Sequence, residues 1–252
     1  MSLHTSIQRC DGTTCAPRIR LFGSFRLTVD GAQVSTPLGG QRLLAVLALR
    51  ERMSRARLAG TLWPDTGQRQ SMANLRKACG RLQAAVPGHG LVVAVGRDLH
   101  LAPGVATDVG LLVRLVHERT AGPGGGPGPP LETPGGTALE ELVHPEAVDL
   151  LPDWDDPWLE ADRERLRQLR LHLLEEWAAR LTDEGDYGLA LEVALGALRT
   201  DELRESAHRA VINVHRAEGN VQEARRAFAV CRAVLRREIG VPPSRETAAL
   251  VP

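Results

Sequence analysis

The stretch TLWPDTGQRQSMANLRKACGRLQAAV, residues 61–86, decides the fold. Pro64 ends any helix before it, because its ring fixes φ and removes a hydrogen-bond donor. Thr66 is then placed to cap a new helix, which Pro87 and Gly88 end. One face of this helix is apolar at the i, i+3, i+4, i+7 spacing and is predicted to pack on a core; its residues are Met72, Leu75, Cys79, Leu82 and Val86.

The opposite face of the same helix carries cations, amides and small residues. Such side chains hydrogen-bond to base edges, and small residues let the helix backbone approach a groove closely. We therefore predict a DNA recognition helix, whose contacting residues are Arg69, Gln70, Ala73, Asn74, Arg76, Lys77 and Arg81. An amphipathic helix with arginine on its solvent face is also common without DNA, so the neighbouring elements have to decide.

Strand patterns come before the helices. Alternating apolar and polar residues predict a half-buried strand over residues 19–29. Asp30-Gly31 is a hairpin signal, and residues 32–34 can return as a short partner strand. The sequence therefore predicts a small antiparallel sheet ahead of the helical part.

Two helices precede the central one, and a hairpin follows it. The helices are predicted at residues 41–50 and 55–63, the second capped by Ser54, and the hairpin at residues 91–95 and 99–101. Three helices, the third of them basic, followed by a hairpin is the order of a winged helix-turn-helix. Such a wing reaches the DNA backbone or minor groove. Further DNA contacts are therefore predicted at Arg55, Arg57 and Arg97.

Charge is segregated along the chain although the formal net charge is zero. Residues 41–86 hold nine basic and two acidic residues, a local charge of +7, and Lys77 is the only lysine. Residues 138–160 hold eight acidic residues and no Lys or Arg. Local charge decides whether a surface attracts DNA, so the acidic segment is expected to lie away from it.

Four strings carry a family resemblance: IRLFGSFRLTVDG, QRLLAVLAL, TLWP and ANLRKACGRL. They resemble the OmpR-type winged-helix domain of the Streptomyces antibiotic regulatory protein family of transcriptional activators. The resemblance implies a DNA-binding domain at residues 19–103 that reads direct repeats in promoters and self-associates on DNA. It also implies that the loop before the recognition helix contacts RNA polymerase holoenzyme, through Pro64, Asp65, Thr66, Gly67 and Gln68.

The remainder of the chain reads as helical and repetitive. Glu184-Gly185-Asp186 and Glu218-Gly219-Asn220 are offset by 34 residues, which is the tetratricopeptide period. The resemblance places the family's bacterial transcriptional activator domain here, at residues 106–251. A Gly/Pro-rich run at residues 121–137 is predicted to be a mobile loop within it. The predicted fold is thus mainly α with a small β component: a winged helix followed by an all-α, tetratricopeptide-like domain.

No motif for catalysis or metal binding occurs in the sequence. The P-loop, HExxH and GxSxG patterns are missing, so we predict no enzyme, no catalytic residues, no cofactor and no metal. No apolar run approaches the roughly 20 residues of a membrane helix. Residues 1–18 read as a disordered leader rather than a signal peptide, which predicts a cytoplasmic protein with no membrane partner.

The sequence thus predicts a transcriptional activator of a pathway gene cluster, such as one for antibiotic biosynthesis, with double-stranded promoter DNA and RNA polymerase as partners. Two alternatives stay open. One is a helical scaffold whose winged domain serves protein contacts only. The other is a regulator that senses a ligand in its helical domain.

Overall fold

The computed structural model describes residues 16–120, 143–144 and 149–251. Contacts divide them into two compact units. The first unit contains residues 16–111 and 150–162, and the second contains residues 112–120, 143–144, 149 and 163–251. The predicted mobile loop at 121–137 and all but the end of the predicted leader lie outside the described residues.

The first unit begins with a four-stranded sheet in the order β3-β2-β1-β7. Its strands are β1 (Arg18–Arg20), β2 (Arg26–Val29), β3 (Ala32–Gln33) and β7 (Ala106–Thr107). Strand β7 lies parallel to β1, and the other two pairs are antiparallel. Asp30 and Gly31 both have positive φ, +50° and +77°, as a two-residue type I′ turn requires, so the predicted hairpin is confirmed.

The prediction of one continuous strand over residues 19–29 is wrong. The backbone leaves the ladder after Arg20 because the amides of Leu21 and Phe22 both donate to Oδ2 of Asp108, at 2.8 Å each. Burial raises the pKa of Asp108, although these two amides and that of Val109 act in the opposite sense. A buried carboxyl 87 residues away therefore ends β1.

Three helices and a second sheet complete the winged fold. In chain order the elements are α1 (Leu38–Arg50), β4 (Arg52–Ser54), α2 (Arg55–Leu62), α3 (Gln68–Ala85), β5 (Val92–Val95) and β6 (Asp98–Leu101). The predicted wing is the hairpin of β5 and β6, and β4 joins it in the order β4-β6-β5. Strand β4 was not predicted. Its three residues fill the short gap between α1 and α2, and Met53 pairs with Leu99.

Residues 150–162, which we call the return segment, pack on the sheet of the first unit. The amide of Leu151 donates to the carbonyl of Leu21 at 3.0 Å, and the ring of Trp154 stacks on Phe25 with 6.1 Å between centroids. Leu150, Leu151 and Leu159 are buried. This acidic stretch is therefore part of a packed structure.

Two carboxylates of the return segment bind arginines of α1. Asp156 accepts from Nε of Arg42 at 3.0 Å, and Arg50 meets Asp162 at 2.8 Å. Asp156 is 8% exposed and Asp162 is 1% exposed. Because removing one partner of a buried ion pair leaves an uncompensated charge, these contacts tie the return segment to α1.

The second unit is all helical. Its helices are the later part of α4 (Asp108–Thr120), then α5 (Glu160–Glu184) from residue 163, α6 (Tyr187–Thr200), α7 (Glu205–Ala217), α8 (Val221–Glu238) and α9 (Arg245–Ala248). The sequence predicts helices near residues 158–184, 187–200 and 205–217, and the last two spans agree with the structure. The helix predicted from residue 158 begins instead with a 3₁₀ turn, Pro157–Leu159.

The 34-residue period appears in the structure as the same hydrogen-bonded helix ending at two positions. The amide of Asp186 donates to the carbonyl of Leu181, and the amide of Asn220 donates to that of His215, each pair offset by 34. Gly185 and Gly219 supply the left-handed residue of this ending, with φ of +82° and +83°. The predicted class, a winged helix followed by a tetratricopeptide-like all-α part, is confirmed.

Candidate nucleic-acid interface

Helix α3, the predicted recognition helix, begins after a tight loop. Helix α2 ends at Leu62, and the loop 64–67 then leads to an N-cap at Gly67, which has no side chain to cap the helix. The prediction that Thr66 caps α3 is therefore wrong. Its hydroxyl donates instead to the carbonyl of Trp63 at 3.1 Å, so it stabilises the end of α2 and the loop.

The buried side of α3 faces the core, as predicted, but it is rotated slightly from the predicted stripe. Ser71, Leu75, Ala78, Leu82 and Val86 are buried. The predicted members Met72 and Cys79 are half-buried and turn toward the wing. The cause is the hairpin of β5 and β6, which lies beside this edge of α3. The spacing of apolar residues in a helix cannot predict such a second neighbour.

The opposite side of α3 is open to solvent. Arg69, Gln70, Arg76, Lys77 and Arg81 are exposed, and Ala73 and Asn74 are half-buried. The side chain of Gln70 donates to Oδ1 of Asn74 at 3.0 Å, so these two amides form a joined polar surface. Residues 68–85 contain no Asp or Glu, and the four cations of α3 make no ion pair within the described residues.

Arginines of α2 and β4 hold the wing against the helices. Nη1 of Arg55 donates to the carbonyl of Gly96 at 2.7 Å, and its amide donates to the carbonyl of Arg97 at 3.0 Å. Arg52 pairs with Asp98 at 2.7 Å. Arg97 itself lies exposed at the tip of the hairpin. Arg55, predicted as a DNA contact, therefore also positions the turn of the wing.

A cleft of about 330 Å³ separates α3 from the wing. Its lining is mostly apolar and includes Met72, Cys79, Leu91 and Leu99. Burial raises the pKa of the Cys79 thiol, while the nearby guanidinium of Arg55 acts against that rise. Apolar side chains of α3 and of the wing thus line a shared cleft, and Arg55 fixes the wing at its turn.

Three of the nine bases of residues 41–86 differ from the rest because they pair with carboxylates. Arg42, Arg50 and Arg52 bind carboxylates and so contribute little free positive charge. None of these three belongs to the predicted interface. The exposed members of that interface, apart from Gln70, are Arg57, Arg69, Arg76, Lys77, Arg81 and Arg97. Sequence spacing gave no signal for the pairs with Asp156 and Asp162, which lie 114 and 112 residues from their partners.

No group of three or more His, Cys, Asp or Glu in the described part of the chain could hold a metal ion. No helix among the described residues is both long and apolar enough to cross a membrane.

Two comparisons with known proteins bear on this arrangement. Residues 135–251 match the family model described as bacterial transcriptional activator domain. The fold is similar to that of Mycobacterium tuberculosis EmbR in complex with a low-affinity phosphopeptide, with a TM-score of 0.65 and 18% sequence identity. The family match indicates a transcriptional activator domain over residues 135–251, and the similarity to EmbR concerns the fold. The bacterial transcriptional activator domain that the resemblance implied is thus confirmed.

The extent of these matches limits what each one describes. The EmbR alignment covers 93% of this chain and 64% of the EmbR chain, so this chain spans less than two thirds of that protein. No curated protein matches the sequence. The activator-domain match includes the return segment, which packs within the first unit.

Proposed function

We propose that the chain is a sequence-specific DNA-binding transcriptional activator whose helix α3 enters the major groove. The observation that carries the proposal is the solvent face of α3, where four unpaired cations surround the joined amides of Gln70 and Asn74. Arginine and lysine bind guanine edges or phosphates, and such amides bind adenine. The buried opposite face fixes the orientation of these side chains.

The wing is proposed to add contacts to the DNA backbone. Arg97 is exposed at the tip of the hairpin, and Arg57 is exposed near the start of α2. Contacts of this kind position a protein on the duplex without reading its sequence. Each phosphate that a cation neutralises releases counterions, so affinity should fall with rising salt at a slope of about −0.9 per contact.

Direct repeats, self-association on DNA and contact with RNA polymerase holoenzyme complete the proposal. They follow from the family and from the loop of Pro64, Asp65, Thr66, Gly67 and Gln68, in which all residues except Thr66 are exposed. An exposed loop beside a DNA-bound helix can meet a protein on the same promoter. The proposed setting is the cytoplasm, and the proposed target is a pathway gene cluster such as one for antibiotic biosynthesis.

Selection of bound sequences from a pool of random duplexes tests the central claim. We expect enrichment of a directly repeated motif, with each repeat as wide as one winged domain covers. If no sequence is enriched, the result favours the alternative of a protein scaffold. Enrichment of a single, unrepeated motif would contradict the proposed self-association of two chains on a direct repeat.

A second measurement tests the polymerase loop. A chain carrying Asp65→Ala and Gln68→Ala should bind the selected duplex normally but activate transcription less in a purified system. These two side chains are exposed and form no contact with the core, so folding should be unaffected. Normal activation by this variant would show that these loop side chains are not needed for contact with polymerase.

A further inference from the structure

Helix α8 carries a strip of arginines on its outer face. Arg225, Arg232 and Arg236 stand at positions i, i+7 and i+11, so they share one face and span about 16 Å of helix. All three are exposed. We call these three residues the arginine strip. None of them forms an ion pair with any described residue.

The other two arginines of α8 behave differently. Arg226 pairs with Glu223 at 2.8 Å, and Arg237 pairs with the adjacent Glu238. The helix therefore places its acids beside two arginines and leaves the other three unneutralised. Since unpaired like charges on one face repel each other, the strip is a surface that an acidic partner would stabilise.

Exposed aliphatic side chains flank the arginine strip. Val221 and Ile239 lie about 40° around the helix from the strip and are 51% and 50% exposed, and Val241 just beyond the helix is 45% exposed. The opposite side of α8 is buried through residues such as Cys231, so the outer face cannot turn inward. Phosphates offer nothing to an aliphatic side chain, whereas protein interfaces combine arginine with apolar contacts.

We propose that the outer face of α8 docks an acidic, partly apolar surface of a protein of the transcription apparatus. Carboxylates of that partner would bind the guanidinium groups of the arginine strip, and its apolar residues would cover Val221 and Ile239. Charge complementarity selects an acidic partner, and the exposed aliphatics select a protein over a phosphate chain. The choice of partner rests on the proposed function as an activator, and this surface is distinct from the loop before α3.

The test uses the full chain and three triple variants. The strip variant is Arg225→Gln, Arg232→Gln, Arg236→Gln, and a Lys version of the same triple keeps the charge. The matched control is Arg180→Gln, Arg226→Gln, Arg237→Gln, which removes the same charge from arginines that already pair with a Glu. Thermal unfolding verifies that all variants fold.

Each protein is titrated with purified bacterial RNA polymerase holoenzyme, with and without the selected duplex. Affinity for the duplex alone is measured over a salt series. We expect the strip variant to lose about tenfold in affinity for holoenzyme, as three exposed ion pairs imply. Its duplex affinity and salt slope should stay unchanged. The Lys version and the matched control should change by less than about threefold.

Three results would overturn the proposal. Unchanged holoenzyme affinity would show that the strip is only a solvated face. An equal loss in the matched control would show a general charge effect. A duplex affinity that falls, with the salt slope reduced by about 0.9 per arginine, would assign the strip to DNA phosphates instead. The titration without duplex keeps the test valid if the chain selects no operator, in which case the proposed function fails separately.

Discussion

Arg55, the first residue of α2, donates a hydrogen bond from Nη1 to the carbonyl oxygen of Gly96 at 2.7 Å. A side chain of the helix-turn-helix thus holds the turn of the wing directly. The amide of Arg55 donates to the next carbonyl, that of Arg97, so one residue fixes both positions of the turn. The exposed guanidinium of Arg97 is presented from a turn whose backbone is anchored at both ends.

Replacing Arg55 with Ala should loosen the wing in the free protein. Losing one charge-assisted hydrogen bond should speed amide exchange in residues 94–99 by about tenfold, because the turn opens more often. Hydrogen exchange measured by NMR tests this without DNA. Arg57→Ala is the control, since no hydrogen bond joins the Arg57 side chain to the wing in the structure. Equal exchange in both variants would mean that the hairpin is held without the Arg55 side chain.

Lys77→Ala and Arg81→Ala should each weaken binding to the selected duplex by about 1 to 3 kcal/mol, because each removes a contact to a base or phosphate. Neither residue is buried, so the free energy of unfolding should stay within about 0.5 kcal/mol of the parent. Fluorescence anisotropy on the duplex and chemical denaturation give the two quantities. Arg216→Ala on α7 is a control of the same chemistry. Full affinity in both α3 variants would exclude this face from the interface.

Leu75→Ala should separate the two faces of α3. Leu75 is 2% exposed, and its truncation leaves a cavity in the core, which costs about 2 to 5 kcal/mol of unfolding free energy. Met72→Ala should cost less, because Met72 is only half-buried and its place opens onto the cleft beside the wing. Denaturation midpoints at equal slope would establish the order. A larger loss at Met72 would show that the wing contact dominates the packing of α3.

The sequence predicted the elements that depend on local chemistry. The turn at Asp30-Gly31, the cap at Ser54 and the helix endings at Gly185 and Gly219 each need particular residue types at particular positions. Such requirements can be read from a few neighbouring residues. Helix α3 and its two faces were predicted in the same way, since its apolar and polar residues recur with the helical period.

Contacts between distant residues could not be predicted from the sequence. Three such contacts join residues more than 80 positions apart. They are the pairing of β7 with β1, the hydrogen bond from the Leu21 amide to Asp108 and the packing of the return segment on the sheet. The eight acids of residues 138–160 gave a partial signal, because one of them, Asp156, pairs with Arg42 of α1. Asp162, two residues beyond this stretch, pairs with Arg50. No spacing rule identifies which arginines those are.

The two described cysteines should differ sharply in reactivity. Cys231 is fully buried, and burial together with the nearby Glu205 carboxylate raises its pKa to about 11, against the effect of Arg209. At pH 8 only about one molecule in a thousand then carries the thiolate, and the fraction grows tenfold for each unit of rising pH. Cys79 is half-buried, so reagent can reach it.

In a chain with Cys10→Ser and Cys15→Ser, a thiol reagent such as dithionitrobenzoate at pH 8 should therefore modify one thiol in the folded state. It should modify two in denaturant. Mass spectrometry of the modified peptides identifies Cys79 as the native site. Rapid modification of Cys231 in the folded protein would show that α8 opens on the timescale of labelling.

The contacts of the return segment predict where the chain can be truncated without unfolding the first unit. A chain ending at Pro103 keeps every predicted DNA contact, and from the sequence alone it should retain the DNA preference. However, it lacks β7, Asp108 and the return segment. The amides of Leu21 and Phe22 would lose their buried acceptor, and Arg42 and Arg50 would lose theirs. We therefore expect this fragment to show no cooperative thermal transition.

A chain ending at residue 162 keeps all of these contacts and should unfold cooperatively while preferring the selected duplex over a scrambled one. Within that longer fragment, Asp156→Ala with Asp162→Ala should lower the free energy of unfolding by about 3 kcal/mol or more, because two nearly buried carboxylates leave their arginines unpaired. Ser24→Ala, which removes only an exposed hydrogen bond to Asp153, should change it by less than about 0.5 kcal/mol. Circular dichroism melts and anisotropy titrations of the fragments give each quantity. If the fragment ending at Pro103 melts as sharply and binds as well as the longer one, the return segment is dispensable for the fold, and its ion pairs with α1 are surface contacts of little energetic weight.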